Sequence, residues 1–122
     1  MQKFDQTTFS DHAKGQYGDC MRACVYTLLG EDIDLPHPIA PDGFWNQEFF
    51  DDLQRKTGKY PYPKKTQKLF PEDWPKLVIR AGKGPRGHNH AVVWDLENNE
   101  MYHDPHPSRD GLVTFERWYV LK

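Results

Sequence analysis

The sequence predicts an α+β fold, with an N-terminal helix packed on a C-terminal antiparallel sheet. Three observations carry this. Residues 18–30 place Asp19 before, and Gly30 after, a helix-compatible run that begins at Cys20. Residues 88–95 and 100–104 read as strands on either side of Asn98-Asn99, a hairpin turn signal. Helical patterning comes first along the chain and strand patterning second, an order that belongs to α+β rather than to alternating α/β folds.

At 122 residues the chain is read as one domain, residues 1–122, able to bury a core without disulfide staples. Ten prolines and nine glycines assign much of it to loops and turns. A formal charge of −2 gives no electrostatic footprint for nucleic acid. No apolar run approaches a membrane span, and the first residues lack the apolar segment of a signal peptide. The expected compartment is therefore the cytoplasm.

Taken in order, residues 4–9 suit a short strand or an extended lead-in, and residues 10–18 a polar loop. Asp19 is the expected N-cap of the first helix, its carboxylate accepting from free N–H groups of the first turn. Gly30 suits the left-handed position just past the end. Val25, Leu28 and Leu29 share one side, while Ala23 and Thr27 keep neighbouring positions small, as a buried helix requires. Pro36 and Pro38 forbid a continuing helix, so residues 31–38 form an irregular connector. Residues 42–58 read as a second helix, because Trp45, Phe49 and Leu53 recur every four residues with Phe50 beside them, and Gly58 closes it. Residues 59–75 are basic, aromatic and proline-rich, and read as a loop with a short extended piece and a turn at residues 71–75. Strands are expected over residues 76–81, 88–95, 100–104 and 115–121.

Cys20 falls at the first helical position, where the helix dipole and unpaired N–H groups favour an anion and activate a thiol. Cys24, one turn on, reads as a small buried hydrophobe. Two cysteines four apart on a helix do not face each other for a disulfide, and without a second pair they make no zinc half-site. His90 opens the apolar strand after a glycine-rich loop, and Asp104 ends its hairpin partner. A hairpin brings those two ends together, a bulge adjusting the match. Asp104 would then hold His90 by one ring nitrogen and leave the other to take the thiol proton. His88, on the same face by strand alternation, is the rival base. An oxyanion needs donors: the Cys20 backbone N–H and an upstream glutamine, for which Gln6 and Gln16 both qualify.

Four segments carry a family resemblance: Asp5-Gln6-Thr7; Gly18-Asp19-Cys20 with Ala23-Cys24; Gly87-His88-Asn89-His90-Ala91-Val92-Val93; and His103-Asp104-Pro105-His106-Pro107-Ser108 with Gly111-Leu112. Together they resemble a family of small, largely uncharacterised bacterial and phage proteins similar to papain-like cysteine peptidases, nearest the double-glycine leader peptidases of bacteriocin exporters. The resemblance spans nearly the whole chain. It implies a compact papain-like core in which Cys20 is the nucleophile, His90 the base, Asp104 its orienter, and Gln6 or Gln16 the oxyanion donor. Leader peptidases carry their glutamine close before the cysteine and usually a glycine just after it. Here Met21 follows Cys20, and Gln6 lies fourteen residues upstream.

The expected function is thiol-dependent cleavage of an amide in a peptide or protein: a peptide bond, an isopeptide or a side-chain amide. No cofactor is implied. His88, His90, His103 and His106 raise the thought of a metal, but their spacing matches no recognised zinc pattern, and none is expected. The basic, aromatic residues 60–68 suit nucleic-acid stacking less than a solvated loop in a net acidic chain. The alternative class is a non-catalytic binding or host-interaction module that keeps the fold and uses residues 60–75 as its contact surface.

Overall fold

The computed structural model describes residues 2–65 and 74–122. Among these residues two α-helices, α1 (Cys20–Leu29) and α2 (Gln47–Thr57), and a 3-10 turn at His12–Lys14 accompany five strands: β1 (Pro61–Lys64), β2 (Leu77–Lys83), β3 (Asn89–Asp95), β4 (Glu100–His103) and β5 (Arg117–Leu121). The strands form one antiparallel sheet in the order β1-β5-β2-β3-β4. The fold is thus α+β.

Strand alternation divides the apolar residues between two faces. Ile79, Ala91, Val93, Tyr119 and Leu121 form one core with Met21, Cys24 and Val25 of α1 and Phe49, Phe50 and Leu53 of α2. Val78, Trp118 and Val120 lie in a second cluster with Trp94 and Phe115. There the Arg80 guanidinium stacks over the rings of Trp94 and Phe115, at 4.1 and 4.2 Å. Burial lowers its affinity for the proton, and the aromatic faces supply the compensating attraction.

Both helices end as their glycines predict. Gly30 and Gly58 take left-handed backbone and return their N–H groups to Tyr26 and Gln54. The second helix is shorter than its periodicity predicts. Asn46 caps it by accepting from the Glu48 N–H, while Trp45 is held in a β-bridge to Ile39. Trp45 is therefore off the helix and 48% exposed, although its ring meets Phe50 and Tyr119 edge-on. Phe49 and Leu53, by contrast, are fully buried.

Residues 4–9 join no strand; they bend at Thr7 and Thr8 and are hydrogen-bonded to α1 on one side and to His103 and Pro105 on the other. The short extended piece foreseen in residues 59–75 is β1, an edge strand on β5 that tolerates Pro61 and Pro63 because an edge leaves N–H positions unpaired. Most of the expected turn at residues 71–75, and part of the basic stretch, lie outside the described residues.

Gly82 in β2 is fixed by a close approach. A Cβ there would lie 2.0 Å from the Thr114 carbonyl oxygen. The loop before β5 is drawn in by Val113 N–H to Lys83 O and Glu116 N–H to Ala81 O, at 2.7 and 2.9 Å. Gly82→Ala is expected to cost about 3 kcal/mol or more, as forced overpacking against backbone. Gly58→Ala meets no neighbour and should cost only about 1–2 kcal/mol for its left-handed backbone. Urea denaturation of the two variants tests the difference; equal losses would remove the steric account.

Candidate active site

The site is assembled where the start of α1, the start of β3 and the chain after β4 meet. Asp19 precedes α1, but its carboxylate does not cap the helix. It accepts instead from the Thr7 N–H (2.8 Å), the Thr8 N–H (2.9 Å), the Thr7 hydroxyl (2.9 Å) and the Arg22 guanidinium (2.7 Å). Burial pushes this carboxyl up, yet the Thr8 amide, Arg22 and Thr7 outweigh it and hold it below the usual carboxylate range. The expected cap fails because these donors win the carboxylate. The first intrahelical bond is Ala23 N–H to Asp19 O, so the opening amides of α1 keep no side-chain cap.

The N-terminal segment is tied on its other side as well. The Phe4 carbonyl accepts from His103 Nε2 at 2.9 Å, and the Gln6 N–H donates to Pro105 O at 3.0 Å. Asp5 takes a two-pronged ion pair from Arg109, at 2.7 and 2.9 Å. Asp5, Gln6 and Thr7 therefore face three different partners. Gln6 is left facing the cleft: its Nε2 donates to Thr8 O at 2.9 Å, and that nitrogen would lie 3.0 Å from a Cβ on Gly18. Its Oε1 is buried and without a partner among the described residues.

His90 and Asp104 meet as the hairpin predicts. Val93 pairs with His103 across a register shift between Val93 and Trp94, the bulge that aligns the two ends. Asp95 orders the turn by accepting from the Glu97 and Asn98 amides, and Asn99 takes positive φ. His90 Nε2 lies 2.6 Å from Asp104 Oδ1, with both side chains buried. Asp104 also accepts from the His106 and Gly111 amides, at 2.9 and 2.8 Å. Burial raises its carboxyl, but His90 and these amides more than offset that and keep it ionised.

With Nε2 committed to Asp104, Nδ1 is the nitrogen left for a thiol. Cys20 is near enough to act on the imidazole as a polar and electrostatic partner. Burial lowers the His90 pKa, but Asp104 and Cys20 outweigh it and raise it to about 9. Cys24 is fully buried; burial pushes its thiol well above its usual value, and Cys20 and Asp104 add to that. Both cysteines are free.

Cys20 and His90 line two adjoining cavities. The larger, about 360 Å³, is walled by Tyr17, Ile39, Phe44, Trp45 and Tyr119. The smaller, about 100 Å³, is bounded by Gln6, Arg86, His88 and His106. Gln16 is exposed and lies on a separate surface cavity with Thr7, Tyr17 and His37. The structure thus brings together Cys20, His90, Asp104 and Gln6, and leaves Gln16 apart. His88 sits just before β3, at the rim of the smaller cavity. His103 is used by Phe4 and Asp5. Among the described residues no three His, Cys, Asp or Glu side chains gather as a metal site, and no helix is long and apolar enough to cross a membrane. Sequence reasoning missed Arg109, Thr7 and Thr8 as the residues that position the Gln6 segment; Asp5 and Asp19, two acids each close to a site residue, were the available signal.

Comparison with protein-family models, curated proteins and solved structures gives no match to this chain.

The raised His90 pKa fixes a sign. A group whose folded pKa exceeds its ordinary 6.5 adds stability that is fully present below that value and fades as pH rises through about 9. Stability measured by urea denaturation should therefore decline between about pH 6.5 and pH 9 by more in the parent than in His90→Gln. In Asp104→Asn, the His90 ring resonances in NMR should titrate well below the parent value. An unchanged titration would show that Asp104 does not hold the imidazolium.

Proposed function

We propose that this chain is a papain-like cysteine hydrolase that cleaves an amide in a peptide or protein substrate, with Cys20 as nucleophile, His90 as base and Asp104 as its orienter. The observation that carries this is one buried imidazole held by Asp104 through Nε2 while Cys20, at the mouth of a helix, acts on the same ring above an open cleft. Such a pair stabilises a thiolate facing an imidazolium.

Cys20 Sγ attacks the carbonyl carbon, and the carbonyl π electrons move to oxygen. That oxyanion is received by the Cys20 backbone N–H and the Gln6 amide, which supply charge stabilisation where it develops. On collapse the C–N bond breaks, and His90 gives its proton to the departing amine. Water, deprotonated by His90, then attacks the thioester carbonyl, releasing a carboxylic acid and returning Cys20. An amine in place of water gives transfer by the same route. Asp104 takes no proton; it keeps the ring in one tautomer and orientation.

The test is labelling with a broad thiol-directed probe, followed by turnover of a peptide-amide library. Cys20 should be alkylated far faster than Cys24 at neutral pH, and His90→Ala should remove most of that advantage. Turnover should fall by about 10⁴-fold or more in Cys20→Ala and in His90→Ala, and by about 10²–10³-fold in Gln6→Ala. Equal, slow labelling of both cysteines, indifferent to His90→Ala, would overturn the hydrolase and leave a binding module.

A further inference from the structure

The two flanks of the Cys20–His90 pair differ in chemistry. The larger cavity is mostly aromatic and aliphatic, and its charged residues, Glu116 and Arg117, are of opposite sign. The smaller is bounded by Arg86, His88, His90 and His106, and no carboxylate lines it. Arg22 is matched by Asp19, Arg55 by Asp52 and Arg109 by Asp5, while Arg80 is stacked among aromatic rings and Arg117 lines the larger cavity together with Glu116. Arg86 is not matched. Among the described residues it pairs with no acid, and its Nη1 donates only to the Ser108 hydroxyl, at 3.2 Å.

Its position is set from both sides. Residues 84–87 form a tight turn, with Gly84 N–H to His88 O at 2.9 Å and Gly87 N–H to Gly84 O at 3.1 Å. Ser108 is in turn held to His106, its N–H donating to Nδ1 at 3.0 Å, and the His106 ring stands edge-on to His90 at 6.3 Å. Arg86 therefore projects at the rim of the cavity that holds the reacting pair. The repulsion is already felt within the protein, since burial and then the Arg86 charge lower the His106 proton affinity. A cation with spare donors at the edge of a small polar cavity is a binding point for a carboxylate, whose oxygens accept from it.

We propose that the smaller flank selects substrates carrying a carboxylate a few atoms from the scissile amide, with Arg86 as the specificity-determining residue. This rests on the hydrolase assigned above and names the chemistry of one half of its substrate: apolar on the Phe44–Trp45 side, anionic on the Arg86 side. The carboxylate has two possible sources, a chain terminus or an acidic side chain.

Three thiol reagents of matched reactivity separate these: N-bromoacetylglycinamide, which is neutral; N-bromoacetylglycine, with a terminal carboxylate; and N-bromoacetyl-aspartamide, with a side-chain carboxylate. Alkylation is followed at Cys20 by peptide mass spectrometry. At least one anionic reagent should react about fivefold faster than the neutral one, the worth of one partly exposed charge-assisted contact. The faster of the two identifies the source. Arg86→Gln should bring the ratio of anionic to neutral rates to about one, Arg86→Lys should keep part of the excess, and added salt should shrink it. An anionic preference absent from the parent, or surviving Arg86→Gln, overturns the proposal. The hydrolase fails separately, through the neutral reagent: it would then label Cys20 no faster than Cys24.

Discussion

The buried carboxylate of Asp19 is the constraint on which the site depends. It is 2% exposed, so its charge must be met inside the protein. The donors that meet it come from two places, the turn of α1 that carries Arg22 and the N-terminal segment that carries Thr7 and Thr8. One side chain thus fastens the start of the chain to the helix that bears Cys20. Removing one partner from a buried, hydrogen-bonded ion pair typically costs about 3–5 kcal/mol, because the other is left unmatched. Here the loss would also free one side of the Gln6 segment, leaving it held by Pro105, His103 and Arg109.

Asp104 answers a different requirement. Its oxygens accept from His90 and from two backbone amides, while its own carbonyl accepts from Arg109 at 2.6 Å. An acid with that many donors stays ionised next to an imidazole, and it cannot rotate away. Arg109 also grips Asp5, so the loop behind Asp104 and the segment in front of α1 share one cation. His90, Asp104 and Gln6 are therefore coupled through Arg109 and Asp19 rather than placed independently, and neighbours in such a network are not expected to show additive effects.

Much of this was legible in the residues and some was not. The strands of the hairpin declare themselves by apolar runs around Asn98-Asn99, and Gly30 and Gly58 mark helix ends by the backbone they permit. Trp45 misleads, because spacing of four residues reports a helical face only if the backbone is helical; a bridge to Ile39 takes that residue out. Residues 4–9 resemble a strand in composition, yet their hydrogen bonds go to Asp19, Thr27, His103 and Pro105, partners far away in sequence that no local pattern can announce. The same is true of Gln6 against Gln16. Both are upstream glutamines, and only the tertiary path of the segment separates them.

The failed N-cap bears most directly on chemistry. An aspartate capping α1 would place a negative charge and a filled acceptor against the first-turn amides, beside the Cys20 sulfur. A carboxylate there would repel a thiolate and compete for the N–H groups that an oxyanion needs. By turning toward Thr7, Thr8 and Arg22, Asp19 keeps its place before the helix but spends its charge elsewhere. The uncapped amides are then the positive end of the helix dipole, at the turn where Cys20 lines the cleft. Cys24 has the same helix and the same side chain, but lies one turn deeper among Val25 and Phe49 in the apolar core, where an anion is disfavoured. The surroundings of the two thiols are therefore set apart by a single helical turn and by the direction in which one neighbouring carboxylate points.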